Sequence, residues 1–232
     1  MARRSHPRIG RLLRIALILL LPAIVLVTTT FHVQAAPPTL YPIYFLGDSL
    51  TAGRAATSPA HTYRQLLLAH LRENPHLSVS EGGVWQSGWR VADALAAVVD
   101  SPPQAATALI IVEIGTNDAT GNQGIAQVTD PAEFAADYVQ LIAYLQAEAP
   151  RAKIICLSTW WSMYLSTAYD STIERYCPHG NYVDITKLYA EAVYHGPAGL
   201  EENWYRPGRL TDSFHPNDQG MAAIARKIEA RL

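Results

Sequence analysis

Residues 108–118 read Ala-Leu-Ile-Ile-Val-Glu-Ile-Gly-Thr-Asn-Asp. The run from Leu109 to Val112 is apolar without polar alternation, which is typical of a strand that is covered by protein on both faces. A polar turn, Gly115–Asp118, follows directly. We therefore predict a buried strand over Ala108–Ile114, whose carboxyl end presents polar side chains.

Other short apolar runs lie on either side of this strand, and longer helical patterns separate them. The further candidate strands are Ile43–Leu46, Leu77–Ser80, Lys153–Leu157 and Tyr182–Ile185. Strands that alternate with helices over short connections favour an open parallel α/β sheet with helices on both faces. The sequence contains no internal repeat and no linker after residue 40, so we predict one domain over residues 36–232.

Three stretches predict helices most clearly. One covers Tyr63–Leu71. Another begins after Asp130, with Pro131 at the first helical position, and Pro150 ends it. The last runs from about Asn217 to the terminus, and its pattern predicts an inner face made of Met221, Ile224, Ile228 and Leu232.

Residues 1–35 differ from the rest of the chain. Five arginines and no acidic residue are followed by an apolar run from Ile15 to Val27 and by the small residues of Val33-Gln34-Ala35. This order is typical of a secretory signal peptide, here with cleavage near Ala35. The alternative is an uncleaved membrane anchor, because the apolar run nearly reaches bilayer length. Either reading predicts an exported protein.

Charge argues against nucleic acid as a partner. The whole chain has 18 basic and 20 acidic residues, a formal net charge of −2. Without the five N-terminal arginines, 13 basic residues face 20 acidic ones, and no basic run remains. A mildly acidic protein of this kind does not attract a phosphate backbone.

The two cysteines, Cys156 and Cys177, fit neither a zinc-binding spacing nor a redox motif. In an oxidising compartment they could form one disulfide. The other possibility is that Cys156 is a buried free thiol. The sequence leaves both open.

Polar residues follow the predicted strands at the points where each strand ends. In parallel sheets, ligands bind beyond the carboxyl ends of the strands. The segments concerned are Gly47-Asp48-Ser49-Leu50, a glycine- and tryptophan-rich turn over Gly82–Trp89, Gly115–Asp118, and Asp212-Ser213-Phe214-His215 near the terminus.

These segments contain what acyl transfer to a hydroxyl requires: a nucleophile, a base and oxyanion donors. We hypothesise that Ser49 is the nucleophile, His215 its base, and Asp212 the carboxylate that orients the imidazole. Asn117, Gly88 and the Ser49 N–H are the candidate oxyanion donors. Each segment alone is compatible with a helix cap, a turn or a surface loop. Their joint occurrence after successive strands favours a catalytic site.

The sequence resembles the SGNH hydrolases, also called GDSL-type esterases and lipases, from about Tyr41 to Leu232. The first family block matches Phe45–Thr51, and the second, third and last blocks match Gly88, Asn117 and Asp212-x-x-His215. The resemblance implies Ser49 as nucleophile and a flavodoxin-like three-layer α/β/α fold with strand order 2-1-3-4-5. Many members carry an asparagine five residues before the second-block glycine, where this chain has Gly83. Gly82 and Gly83 are therefore the alternatives to Gly88.

Other residues are weaker candidates for a functional site. His61, His70, His76, His179 and His195 show no metal-ligand spacing, so we expect surface or packing roles and neither a metal nor a cofactor. Asp118 is expected to be a structural turn residue. Trp160 and Trp161 follow the fourth strand and could border the substrate site or pack in the core.

The sequence thus predicts a secreted, cofactor-independent serine esterase acting on a small-molecule or polysaccharide ester, with a preference for small or exposed acyl groups. An acyltransferase that passes the acyl group to a sugar or lipid hydroxyl would use the same residues. An inactive carbohydrate- or cell-wall-binding module is the alternative of another class, although such a module needs no intact set of Ser, Asn, Asp and His.

Overall fold

The computed structural model describes residues 37–124, 126–161, 166–196, 204–205 and 211–232. The predicted signal peptide or anchor over residues 1–35 lies outside them. The strands are β1 (Thr39–Gly47), β2 (Leu77–Trp85), β3 (Leu109–Glu113), β4 (Lys153–Leu157) and β5 (Tyr182–Val183). The helices are α1 (Ser49–Ala52), α2 (Tyr63–Arg72), α3 (Val91–Asp100), α4 (Thr116–Gly124), α5 (Pro131–Glu148), α6 (Thr167–Tyr176), α7 (Thr186–Tyr189) and α8 (Asp218–Glu229).

The five strands form one sheet in the order β2-β1-β3-β4-β5, and every adjacent pair is parallel. The predicted α/β class and strand order are confirmed. In the register of the sheet, Gly47 at the end of β1 lies level with Trp85 on β2 and Glu113 on β3. The segments that follow these three strands therefore leave the sheet side by side.

Alternate residues of the central strands point to opposite faces, as the pleat requires. Phe45 and Ile111 pack with α2 and α8 on one face, whereas Leu46 and Val112 pack with α3, α5 and α6 on the other. Both faces of β3 are fully buried. This double covering explains the uninterrupted apolar run of Leu109–Val112 and gives the predicted three layers.

The structure corrects three details of the predicted elements. β2 continues to Trp85, so Gly82 and Gly83 belong to a strand and not to the turn that was expected. β5 ends at Val183. α8 begins at the predicted position, with Asn217 as its N-cap, but Leu232 lies beyond the helix and is 43% exposed instead of facing the core.

Cys156 on β4 and Cys177 at the end of α6 form a disulfide. This resolves the alternatives that the sequence left open. Among the described residues, no helix combines the length and the apolar character needed to cross a membrane.

The disulfide closes a loop of 21 residues, so we expect it to stabilise the fold. On the chain-entropy model, its loss costs about 3 kcal/mol of unfolding free energy. Urea unfolding of the oxidised protein, compared with Cys156→Ala/Cys177→Ala, measures this difference. The reduced wild type is the control and should unfold with the double variant. Equal midpoints for the oxidised protein and the double variant would contradict the prediction.

Candidate active site

Ser49 is the first residue of α1 and sits directly beyond the end of β1. The Asp48 side chain caps this short helix by accepting a hydrogen bond from the Leu50 N–H at 3.0 Å. Gly47, the residue before Asp48, must be glycine, because a Cβ there would lie 2.6 Å from the Glu113 carbonyl oxygen. The close approach of β1 to β3 thus fixes the backbone from which Ser49 projects.

His215 connects Ser49 to Asp212. The His215 Nε2 lies 2.8 Å from Ser49 Oγ, and Nδ1 lies 2.8 and 2.9 Å from the two Asp212 carboxylate oxygens. The carboxylate oxygen Oδ1 also accepts hydrogen bonds from the backbone N–H groups of Phe214 and His215. This turn holds the carboxylate against the imidazole. The structure therefore brings together the three residues that the sequence predicts as nucleophile, base and orienting acid.

Arg54 gives Asp212 a further partner, because its Nη2 lies 3.0 Å from Asp212 Oδ2. Burial raises the pKa of the Asp212 carboxyl, but the hydrogen bonds and charge of His215, together with the charge of Arg54, outweigh burial and hold it well below its usual range. Asp212 is therefore ionised at neutral pH. An ionised carboxylate at Nδ1 favours the tautomer in which Nε2 is free to accept the Ser49 proton.

Gly88 lies in the turn that follows β2, and its φ of 86° is in the left-handed region that favours glycine. Gly82 and Gly83 are strand residues on β2. Gly83 is held there by sterics, because a Cβ would lie 2.0 Å from the Phe45 carbonyl oxygen. Of the three glycines, only Gly88 lies beyond the carboxyl end of its strand, where the other site residues are found.

Asn117 on α4 contacts both the nucleophile turn and the Gly88 turn. Its Nδ2 donates to Asp48 Oδ2 and to the Trp89 carbonyl oxygen, each at 2.9 Å. The next residue, Asp118, accepts a hydrogen bond from the Val91 N–H at 3.0 Å. Burial raises the pKa of Asp118 to about 6, against the opposing hydrogen bonds from Thr129 and Val91. Asp118 lies in the first turn of the helix α4, not in a turn as the sequence suggested, and its carboxylate accepts from the Val91 N–H and the Thr129 hydroxyl.

Two ionisable residues at the site were missed by the sequence reasoning. Arg54 carried no recognisable signal, because its partner Asp212 is far away in the chain. Glu113 did carry one: it is the only ionisable residue in the strand Leu109–Glu113, and it is completely buried. A buried carboxyl needs a partner, and its partners lie in the nucleophile turn.

A group of aromatic rings borders His215. The Phe214 ring centroid lies 5.2 Å from that of His215 and 5.5 Å from that of Trp161. Trp161 is partly exposed, whereas Trp160 is fully buried and donates from Nε1 to the Phe214 carbonyl oxygen at 2.7 Å. Of the two roles that the sequence left open for this pair, Trp160 has the core role, and Trp161 lies beside the site.

The other histidines that the structure describes do not gather into a metal site. Within the described parts of the chain, no group of three or more His, Cys, Asp or Glu side chains could hold a metal ion. His61 pairs with Asp218 at 2.9 Å, and His195 packs against Trp160 and Tyr189.

A model of the GDSL-like lipase/acylhydrolase family matches residues 45–223 of the chain. Among solved structures, an acetyl xylan esterase is 19% identical with a TM-score of 0.62, covering 82% of this chain and 99% of its own. Phospholipase A1 from Streptomyces albidoflavus is 17% identical with a TM-score of 0.60, covering 84% and 100%. An acetylxylan esterase from Geobacillus stearothermophilus is 18% identical with a TM-score of 0.62, covering 84% and 94%. These likenesses show a shared fold. No curated protein sequence matches the chain significantly.

The two strand glycines provide a matched test of the backbone beside the site. A Cβ at Gly82 would meet only the Ile43 carbonyl oxygen at 3.8 Å, whereas one at Gly83 would clash with the backbone of Phe45. We expect Gly83→Ala to lower the unfolding free energy by more than about 2 kcal/mol, and Gly82→Ala to change it by less than about 1 kcal/mol. Thermal unfolding of both variants measures this contrast, and similar losses would contradict it.

Proposed function

Because this chain belongs to the GDSL-like lipase/acylhydrolase family, we propose that it hydrolyses carboxylic esters through an acyl-enzyme on Ser49. The family match confirms the resemblance noted from the sequence. The observation that carries the proposal is the unbroken series of hydrogen bonds from Ser49 Oγ through the His215 imidazole to the Asp212 carboxylate.

In the first step, Ser49 Oγ attacks the ester carbonyl carbon while His215 Nε2 takes the hydroxyl proton. The carbonyl π electrons move to oxygen and form a tetrahedral oxyanion. Asp212 stabilises the imidazolium without accepting its proton. When the intermediate collapses, the bond to the alcohol oxygen breaks, and His215 returns the proton to that oxygen. The products are the free alcohol and an acyl ester of Ser49.

In the second step, water takes the place of the alcohol. His215 Nε2 removes a proton from water, and the hydroxide oxygen adds to the acyl carbon. Collapse of this second intermediate breaks the bond to Ser49 Oγ, which regains its proton from His215. The carboxylic acid leaves, and the site returns to its starting state without a cofactor.

The oxyanion needs donors that are in place before charge develops. The Ser49 and Gly88 N–H groups and the Asn117 amide would supply them. Within the described residues, no acceptor takes the Ser49 or Gly88 N–H. The Asn117 amide hydrogens point to Asp48 and to the Trp89 carbonyl. When substrate binds, the amide N–H that donates to Trp89 would therefore donate to the oxyanion as well, or would turn from Trp89 to the oxyanion.

We further propose that the protein is exported and acts on esters with small acyl groups, including those of polysaccharides. One observation supports export, and another supports an apolar surface for the alcohol part of the ester. The Cys156–Cys177 disulfide is typical of an oxidising compartment outside the cytoplasm. The partly exposed Trp161 beside Phe214 offers an apolar surface next to His215, where the alcohol part of an ester could rest.

Replacement of the nucleophile tests the mechanism. We expect Ser49→Ala to lower kcat on an aryl acetate by more than about a thousandfold, because the variant lacks the hydroxyl that lies 2.8 Å from His215 Nε2. Ser78→Ala, on the exposed face of β2, is the matched control and should keep full activity. Hydrolysis of the aryl ester, followed by absorbance, measures both.

A fluorophosphonate probe provides a second readout, since it reacts only with an activated serine. It should label the wild type and Ser78→Ala but not Ser49→Ala. An unlabelled wild type would indicate an inactive binding module. Full activity in Ser49→Ala would show that the mechanism is wrong.

A further inference from the structure

Two buried carboxyl groups lie directly behind the Ser49 turn. Glu113 is the last residue of β3, and Asp48 follows the end of β1. The sheet register sets Glu113 level with Gly47, so the two acidic residues are neighbours. Both are completely inaccessible to solvent. Neither takes part directly in the proposed chemistry.

The Glu113 carboxyl organises the nucleophile turn through one of its oxygens. Its Oε2 accepts hydrogen bonds from the Asp48 N–H at 3.3 Å, the Thr51 N–H at 3.2 Å and the Thr51 hydroxyl at 2.8 Å. The other oxygen, Oε1, is buried, and no N–H or hydroxyl group of the described residues donates to it. The adjacent acid is Asp48, whose backbone N–H binds the other oxygen of the same carboxyl group, and each of the two acids affects the pKa of the other.

The Asp48 carboxylate has different partners. Its Oδ1 accepts from the Leu50 N–H at 3.0 Å, and its Oδ2 accepts from the Asn117 amide at 2.9 Å. Both contacts favour an ionised Asp48. A hydrogen bond between two carboxyl groups requires that one of them carries a proton. Asp48 already accepts from two N–H donors, and the Ser49 hydroxyl lies 3.4 Å from its Oδ1, whereas Glu113 Oε1 has no donor among the described residues. The proton therefore belongs on Glu113 Oε1.

The charges around the pair agree with this placement. Burial, followed by the charge of Asp48, raises the pKa of Glu113 well above its usual range, whereas burial raises the pKa of Asp48 to about 6. Two adjacent anions in a buried site are strongly unfavourable. Arg64, a cation beside α1, donates to the Thr51 carbonyl and pairs with Glu81, so it is engaged elsewhere. Two further ionisable groups interact with the pair: the Tyr63 hydroxyl, which contacts Thr51, and the Asp118 carboxylate.

We propose that Glu113 is a positioning residue that works in its neutral form, donating its carboxyl proton to Asp48 and thereby holding the Asp48 carboxylate against the Asn117 amide. This inference rests on the proposed role of Asn117 as an oxyanion donor. Glu113 acts through two other residues: it fixes Asp48, and Asp48 fixes the orientation of the amide. If Glu113 ionised, repulsion would separate the two carboxylates and release Asn117.

Two substitutions separate a neutral donor from an anion. Glu113→Gln keeps the shape and an N–H donor for Asp48 but cannot ionise, whereas Glu113→Leu removes the donor. We expect Glu113→Gln to keep kcat on an aryl acetate within about fivefold of wild type. Glu113→Leu should lose up to about a hundredfold in kcat with little change in KM, because a misplaced oxyanion donor affects the transition state most.

The pH profile adds a readout that a merely structural role would not change. The neutral form of Glu113 is lost as pH rises through its raised pKa, so wild-type kcat should fall on the alkaline side. Glu113→Gln should lack that fall. The free energy of unfolding should also decline with rising pH. The folded state keeps a proton that the unfolded state releases above about pH 4.3, so wild-type stability falls as pH rises. This slope should be absent in Glu113→Gln.

Infrared spectroscopy of the folded proteins tests the proton directly, even if Glu113→Leu does not fold. At about pH 8, the other raised carboxyls, Asp118 and Asp170, are ionised because their pKa values are about 6. The wild type should then show a protonated-carboxyl C=O band that Glu113→Gln lacks. A wild type without this band, or a Glu113→Gln variant as impaired as Glu113→Leu, would overturn the inference. Full activity in Ser49→Ala would instead overturn the proposed function itself.

Discussion

The parallel pairing of β1 with β3 is the constraint on which the site depends. It sets Gly47 level with Glu113 at the carboxyl edge of the sheet and brings the two backbones so close that no side chain fits at Gly47. From this point the chain turns into α1 after β1, presenting Ser49, and into α4 after β3, presenting Asn117. Both turns rest on strands buried on both faces, so neither can shift without disturbing the core.

Carboxyl groups serve two opposite purposes on either side of Ser49. Asp212 is partly exposed and is surrounded by His215 and Arg54, which stabilise its negative charge. Asp48 and Glu113 are fully buried without a cation in contact among the described residues, and burial raises the pKa of both, which disfavours two negative charges there. The first arrangement suits a group that must stabilise an imidazolium. The second suits a rigid support whose hydrogen bonds have fixed directions.

Much of this protein followed from the sequence. Apolar runs, helix caps and the spacing between them predicted the sheet and its helices, because local hydrogen bonding and burial leave a short-range pattern. The residues beyond each strand end pointed to Ser49, Asn117 and His215. The predicted extent of β2 was too short, because Gly82 and Gly83 suggest a turn. They remain in the strand because β1 pairs with them and its backbone leaves no room for a larger residue at Gly83.

The sequence by itself determined which residue types were available and in which order the strands and helices would occur. Only the tertiary structure decided the pairings: Cys156 with Cys177, Arg54 with Asp212, and Glu113 with Asp48. Each of these joins residues that are far apart in the chain. No local pattern encodes such a contact, because it exists only once the sheet has set its strands in register. Ser49 was identifiable from its turn, but the support behind it became visible only in the folded chain.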